Sequence, residues 1–179
     1  FALRPGEIVG YLGPNGSGKT TTVKMLAGLV DPSSGRVEYG GRSIREDIIA
    51  FRHQLGYVAE EPFLYPFLSG RQYLELIGRL REIPEPLLAR KVDGFLELFG
   101  LTSAADQSIS SYSKGMRQKI VISAALLHDP AVILFDEPES GLDVTTVLVL
   151  RHQPLGFPGL ALSNPKLLPV QVPVQEGTG

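Results

Sequence analysis

The octet Gly13-Pro14-Asn15-Gly16-Ser17-Gly18-Lys19-Thr20 constrains this chain more than any other stretch. It follows an apolar run, "EIVGYL" (7–12), and opens a helix-patterned run, "TTVKMLAGL" (21–29). Glycines at that spacing let the backbone turn tightly with its amide groups facing inward, where phosphate oxygens fit. The positive end of the following helix adds to the same attraction. Lys19 then reaches the outer phosphates of a nucleoside triphosphate, and the Thr20 hydroxyl serves as a Mg2+ ligand. Thr21 joins the octet as a nucleotide-binding residue. A Gly-rich turn with a surface lysine would share the composition, but not the placement between a strand and a helix.

The rest of the chain alternates as that strand–turn–helix unit requires. "DPSSGRVEYGG" (31–41) reads as turn, strand and turn, "REDIIAFRHQ" (45–54) as a short helix, and "LGYVAE" (55–60) as a strand. Two helices follow without a strand between them. The first, 69–83, opens with Ser69 and Gln72 at capping-box spacing, and the second, 85–100, stops on Gly100. A further helix is expected over 113–130, with Ser113 as N-cap and Pro130 past its end. "AVILFDEP" (131–138) is apolar on both faces and reads as a buried, central, parallel strand. The fold class expected is α/β, a phosphate-loop NTPase core with a parallel sheet and a helical subdomain at about 62–112.

Asp136 and Glu137 close that last strand. Acids at the carboxyl end of a parallel strand stand where such sheets bind ligands. Asp136 is expected to hold Mg2+ through water, and Glu137 to polarise the attacking water. Without the phosphate loop the pair would read as solvated acids at a strand end.

The order of phosphate loop, helical lobe, "YSKGMRQ", "LFDEP" and "SGLD" resembles the nucleotide-binding domain of an ABC ATPase, and "EEPFLYPFLSGRQYLELIGRL" from Glu60 resembles its exporter-type, ABC-2-like branch. In that family the first two chemical motifs are the Walker A loop and the Walker B strand. Ser113, Lys114, Gly115 and Met116 lie where the family has its L-S-G-G-Q signature, with Lys114 and Met116 departing from it. The resemblance implies that this signature serves the ATP of a second nucleotide-binding domain in a head-to-tail dimer. Ser140, Gly141, Leu142 and Asp143 match the D-loop, which crosses the same interface, and Asp143 also suits the N-cap of a last helix. Glu60 stands where the family has the Q-loop glutamine. It retains an oxygen for Mg2+ and adds negative charge, so it is carried as a metal and catalytic candidate beside Lys19 and Glu137. Phe63, Leu64, Tyr65 and Phe67 lie where a transmembrane permease subunit would dock, though aromatics there also suit the lobe core.

The resemblance covers about residues 3–151 and fades after Arg151. The family has upstream strands with an aromatic that stacks on adenine, and downstream a strand and a switch His that contacts the γ-phosphate. Residues 152–179 carry five prolines and four glycines in 28 positions, with no periodicity. An irregular or disordered tail, unrelated to the family, is expected over 152–179. None of His53, His128 and His152 falls at the switch position. The expectation is therefore a partial domain, 1–151, incomplete at both ends. Its sheet exposes an edge beside Walker B, and its hydrolysis is impaired by the missing group.

Composition narrows the partners. A formal net charge of −2 gives no reason to expect nucleic acid. There is no Cys for disulfides or zinc, and the longest apolar run is about eight residues, far short of a bilayer. The expected cofactors are ATP and Mg2+, and the expected place is the cytoplasmic face of a membrane, held there by the permease. Two other readings stand beside the transporter one. A nucleotide-binding remnant without turnover would share every motif. A soluble ABC-type ATPase acting on DNA would separate the phosphate loop from the signature by long coiled coils or zinc modules, whereas Lys19 and Ser113 are only 94 positions apart, and one acting on ribosomes would carry two cassettes and a basic linker.

Overall fold

The computed structural model describes residues 2–4, 7, 9–14, 16–61 and 63–136, and the backbone of Val170–Gln171. Two parallel strands organise it. β4 (Leu55–Val58) pairs with β5 (Val132–Phe135), Leu55 opposite Val132 and Val58 opposite Phe135. The ladder runs on at both ends, Val132 N–H donating to Gln54 O (3.0 Å) and Asp136 N–H to Val58 O (2.9 Å). Alternation along the pair gives it two apolar faces. Val58, Ile133 and Phe135 pack with the helical lobe, whereas Leu55, Tyr57, Val132 and Leu134 join Leu26, Ala27, Val37, Ile44 and Phe51.

The helical lobe is built from α3 (Gly70–Leu80), α4 (Glu85–Leu98) and α5 (Lys114–Leu126). Ser69 and Gln72 form the expected reciprocal capping box at the start of α3. α3 and α4 cross closely enough that a Cβ on Gly78 would overlap Leu88. The start of α3 is equally tight, a Cβ on Gly70 falling 2.5 Å from the Tyr112 hydroxyl. The Lys91 ammonium, 3% exposed, donates to Leu127 O (2.9 Å) and pairs with Asp129, so α4 satisfies the end of α5 just before β5 begins. α5 lies directly on β4, where only a glycine fits. A Cβ on Gly56 would stand 2.6 Å from Ala125 O.

On the other face lie α1 (Lys19–Leu26), α2 (Ile48–His53) and a small antiparallel sheet. β2 (Glu38–Tyr39) and β3 (Arg42–Ser43) form a hairpin over Gly40-Gly41, both at positive φ, the turn that two-residue hairpins favour. β6 (Val170–Gln171) inserts between β2 and β1 (Ala2–Leu3), so two residues of the segment expected to be irregular are in a strand.

Two strand expectations need correction. Residues 9–12 carry no strand, and Val9 and Leu12 are exposed (55% and 91%). β5 is half-buried along its length and, among the described residues, pairs on one side only. A parallel strand is stable only with a neighbour on its ladder, which an apolar pattern by itself does not supply.

Candidate functional site

The phosphate loop has the backbone that its glycines imply. Gly16 (φ 81°) and Gly18 (φ 83°) are left-handed, which costs roughly 1–2 kcal/mol per position for a residue with a Cβ. Gly13 is needed for space instead, since a Cβ there would meet Ser17 Oγ at 2.7 Å. Ser17 N–H donates to Pro14 O (3.2 Å), and Gly18 is the N-cap of α1. Thr22 N–H makes the first helical bond, to Gly18 O (2.8 Å). Helix geometry therefore leaves the Thr20 and Thr21 amides without intrahelical acceptors at an exposed loop. Lys19 Nζ donates to Gly13 O and Pro14 O, each at 3.1 Å, which holds its ammonium across the loop. Asn15 lies outside the described residues.

Asp136 sits at the carboxyl end of β5 and is 2% exposed. The Tyr57 hydroxyl donates to its Oδ2 (3.2 Å), while Oδ1 is buried with no hydrogen-bond partner among the described residues. Burial, and then the Asp136 charge that the phenol faces, push Tyr57 up to about 12, so it stays a donor at neutral pH. Alternation and this bond place Asp136 on the face of the strand pair that carries the α1 cluster. A buried carboxylate oxygen lacking a donor is costly unless a cation or ordered water completes it. That fits Mg2+, which takes few protein oxygens and completes its shell with phosphate and water. Among the described residues no three of His, Cys, Asp and Glu gather into a fuller metal cage. Thr20, half-buried in the first turn of α1, the buried Asp136 and the exposed Glu60 are the described side chains expected to hold the ion.

Glu60 is exposed, two residues beyond β4, at the same carboxyl end of the pair as Asp136. Ser113 accepts from Met116 N–H (3.2 Å), capping α5 as expected. Ser113, Lys114 and Gly115 are exposed at that helix start, and Met116 turns back against the core. Glu137, Ser140, Gly141, Leu142 and Asp143 lie outside the described residues. His128 is no phosphate ligand here. Its Nε2 bonds Leu55 O (3.1 Å), at the amino end of the strand pair opposite Asp136. Burial, and then the Arg81 charge, lower it to about 4. Tyr57 is the residue that motif reading misses, because only the register of β4 against β5 brings it to Asp136.

A glycine-shaped anion loop leading into a helix, with a buried acid at the carboxyl end of a parallel strand, defines a phosphate-loop nucleotide-binding domain. The comparisons make the class specific. The family model described as ABC transporter matches residues 1–140, and the chain belongs to that family, whose ATP-binding domains are ATPases. It is 40% identical over 151 residues to an uncharacterized ABC transporter ATP-binding protein, YhcH, of Bacillus subtilis, covering 84% of this chain and 48% of that one. The ABC transporter ATP-binding protein NatA of the same organism is 35% identical over 153 residues, covering 85% of this chain and 62% of NatA. The chain thus spans about half the length of the curated relatives it matches. Among solved structures, an ATP-binding subunit of an ABC transporter superposes with a TM-score of 0.68 at 32% identity, over 78% of this chain and 59% of that one. The cbiO1 protein of Clostridium perfringens, part of the ABC transporter complex cbiONQ, gives 0.63 at 29% identity, over 78% and 58%.

Proposed function

We propose that this chain supplies the ATP-binding part of an ABC transporter, binding Mg-ATP on the 13–20 loop and, with a second nucleotide-binding domain, driving a transmembrane permease. The observation that carries the reading is the loop itself. Gly16 and Gly18 are held left-handed ahead of α1, whose Leu26 packs in the apolar cluster on the Tyr57 side of the strand pair, and Asp136 keeps a buried carboxylate bonded to Tyr57. In this reading the loop amides and Lys19 take the phosphates, and Thr20 and Asp136 hold the metal. Bound Mg2+ would neutralise charge on the phosphate oxygens. Glu137 orients the attacking water, and Glu60 faces the same end of the sheet. Ser113, with the exposed start of α5, serves the partner domain's nucleotide, and Ser140–Asp143 cross between the domains.

The permease contact falls to the segment after β4. Phe63 (79% exposed), Tyr65 and Phe67 (75%) form a chain of ring contacts with centroids 5.5 and 5.9 Å apart, while Leu64 turns into the core. That strip is tied to the loop before Ser113, Ile109 N–H donating to Leu68 O (2.8 Å) and Ser110 N–H to Pro66 O (2.9 Å). The tie gives a physical route between permease and signature. Among the described residues no helix is long and apolar enough to cross a membrane, so the reading holds the domain to the cytoplasmic face through its partner. Nucleic acid has no place in it.

His53 ends α2 and His128 bonds the far end of the strand pair, so neither described histidine stands at a γ-phosphate. We propose that this 179-residue chain on its own hydrolyses ATP slowly relative to binding, by roughly a hundredfold or more for want of a transition-state contact from either described histidine. Steady-state phosphate release tests this, with Glu137→Gln as the dead control. The expected result is tight Mg-ATP binding with little turnover above that control. Turnover at a rate of order 1 per second or faster, abolished by Glu137→Gln, would overturn the proposed impairment.

A further inference from the structure

We propose that Tyr57 is a positioning residue for the metal: its hydroxyl holds Oδ2 of Asp136 so that Oδ1 alone is presented to Mg2+. The inference rests on the reading of Asp136 as the metal-side carboxylate and adds a residue to it. The parallel register sets Tyr57 opposite Leu134 and Val58 opposite Phe135, so Asp136 stands just past the end of β4, diagonal to Tyr57 on one face. From there the phenol donates to Oδ2 at 3.2 Å. The two oxygens of a 2%-exposed carboxylate are thereby made unequal, one bonded and one without a partner among the described residues. A carboxylate free to rotate would have to be ordered each time the metal arrives, whereas one held by a neutral donor is already aimed. Partners of this kind, one step out from the ligand, are worth about 10–100-fold in metal affinity when removed.

The test uses the full chain, a fluorescent ATP analogue at fixed concentration and a MgCl2 titration, read as the midpoint of the Mg2+-dependent rise in binding. Mn2+ binding by electron paramagnetic resonance supplies a second readout that needs no hydrolysis. Tyr57→Phe keeps the ring and removes the hydroxyl. Val58→Ala, a buried apolar truncation on the opposite face of the same strand, destabilises without touching the Asp136 carboxylate and keeps the carbonyl that accepts from Asp136 N–H. The expected result is a midpoint and a Mn2+ affinity about tenfold weaker in Tyr57→Phe, with Val58→Ala within twofold of wild type. A Tyr57→Phe midpoint within twofold of wild type overturns the inference. So does an equal shift in Val58→Ala, which would mark the effect as general loosening. If Asp136→Asn titrates like wild type, or wild type shows no Mg2+ dependence at all, the reading of Asp136 itself fails and takes the inference with it.

Discussion

Gly56→Ala should be the most informative single methyl group in the protein. The new Cβ would stand 2.6 Å from Ala125 O and 3.0 Å from Pro130 Cγ. The first of these is helix backbone, which has no rotamer to move aside, and α5 is held at its end by Lys91. Either β4 or α5 must therefore shift by most of an ångström. Overpacking of that kind costs about 1–3 kcal/mol, and a backbone neighbour argues for the upper half, about 2–3 kcal/mol. For a chain of this size that is a fall in Tm of roughly 4–12 °C. Thermal unfolding followed by circular dichroism measures it, with urea midpoints as a check. Gly115→Ala is the matched control, since its Cβ meets nothing within 4 Å. Placed in α5, it should leave Tm unchanged or raise it slightly through helix propensity. The shift has a functional side, because the α5–β4 contact separates Ser113 at the start of one element from Tyr57 and Glu60 on the other. A Gly56→Ala protein that melts with wild type would refute the packing of α5 on β4, and with it the position assigned to the strand pair.

Other outcomes follow from the same geometry. Lys91→Met removes a buried ammonium and leaves Leu127 O without its donor, while the quarter-exposed Asp129 carboxylate can rehydrate. The expected loss is about 2–4 kcal/mol by urea unfolding, and an unchanged midpoint would show that the pair is not formed. His128 gives a pH dependence. Its folded value is lowered to about 4 while the unfolded chain titrates near 6.5, so the unfolded state takes the proton first. Its contribution is complete above about pH 6.5 and is lost as pH falls toward 4. Allowing for partial exposure, the loss between pH 7 and pH 5 is about 1–2 kcal/mol. His128→Asn should flatten that part of the acid arm, and an unaltered slope would contradict the burial of the ring.

What the sequence reveals here is what depends on near neighbours. The Ser69–Gln72 capping box, the Ser113 cap and the left-handed Gly16 and Gly18 each involve residues within one turn, and each forms as expected. The strand expected at 7–12 has the right residues but depends on a distant partner, and apolar pattern alone does not supply a ladder. β5 reads as central because both its faces are apolar, and both faces do pack. Apolar faces report burial above and below a sheet, however, and say nothing about a neighbour at its edge. Tyr57 and Lys91 were hidden for a related reason. Each becomes meaningful through a contact set by register or helix crossing, with Asp136 and Asp129 respectively, 79 and 38 positions away. Glu60 lies two residues beyond β4 and Ser113 caps α5, positions that local pattern alone made legible.

The central claim is that the 13–20 loop binds the phosphates of Mg-ATP. Equilibrium titration of the wild-type chain and of Lys19→Ala with a fluorescent ATP analogue in MgCl2 tests it most directly. The account predicts saturable binding by wild type, weakened at least tenfold by removal of the ammonium that spans Gly13 O and Pro14 O. Equal binding by the two proteins, or no saturable binding by wild type, would contradict it.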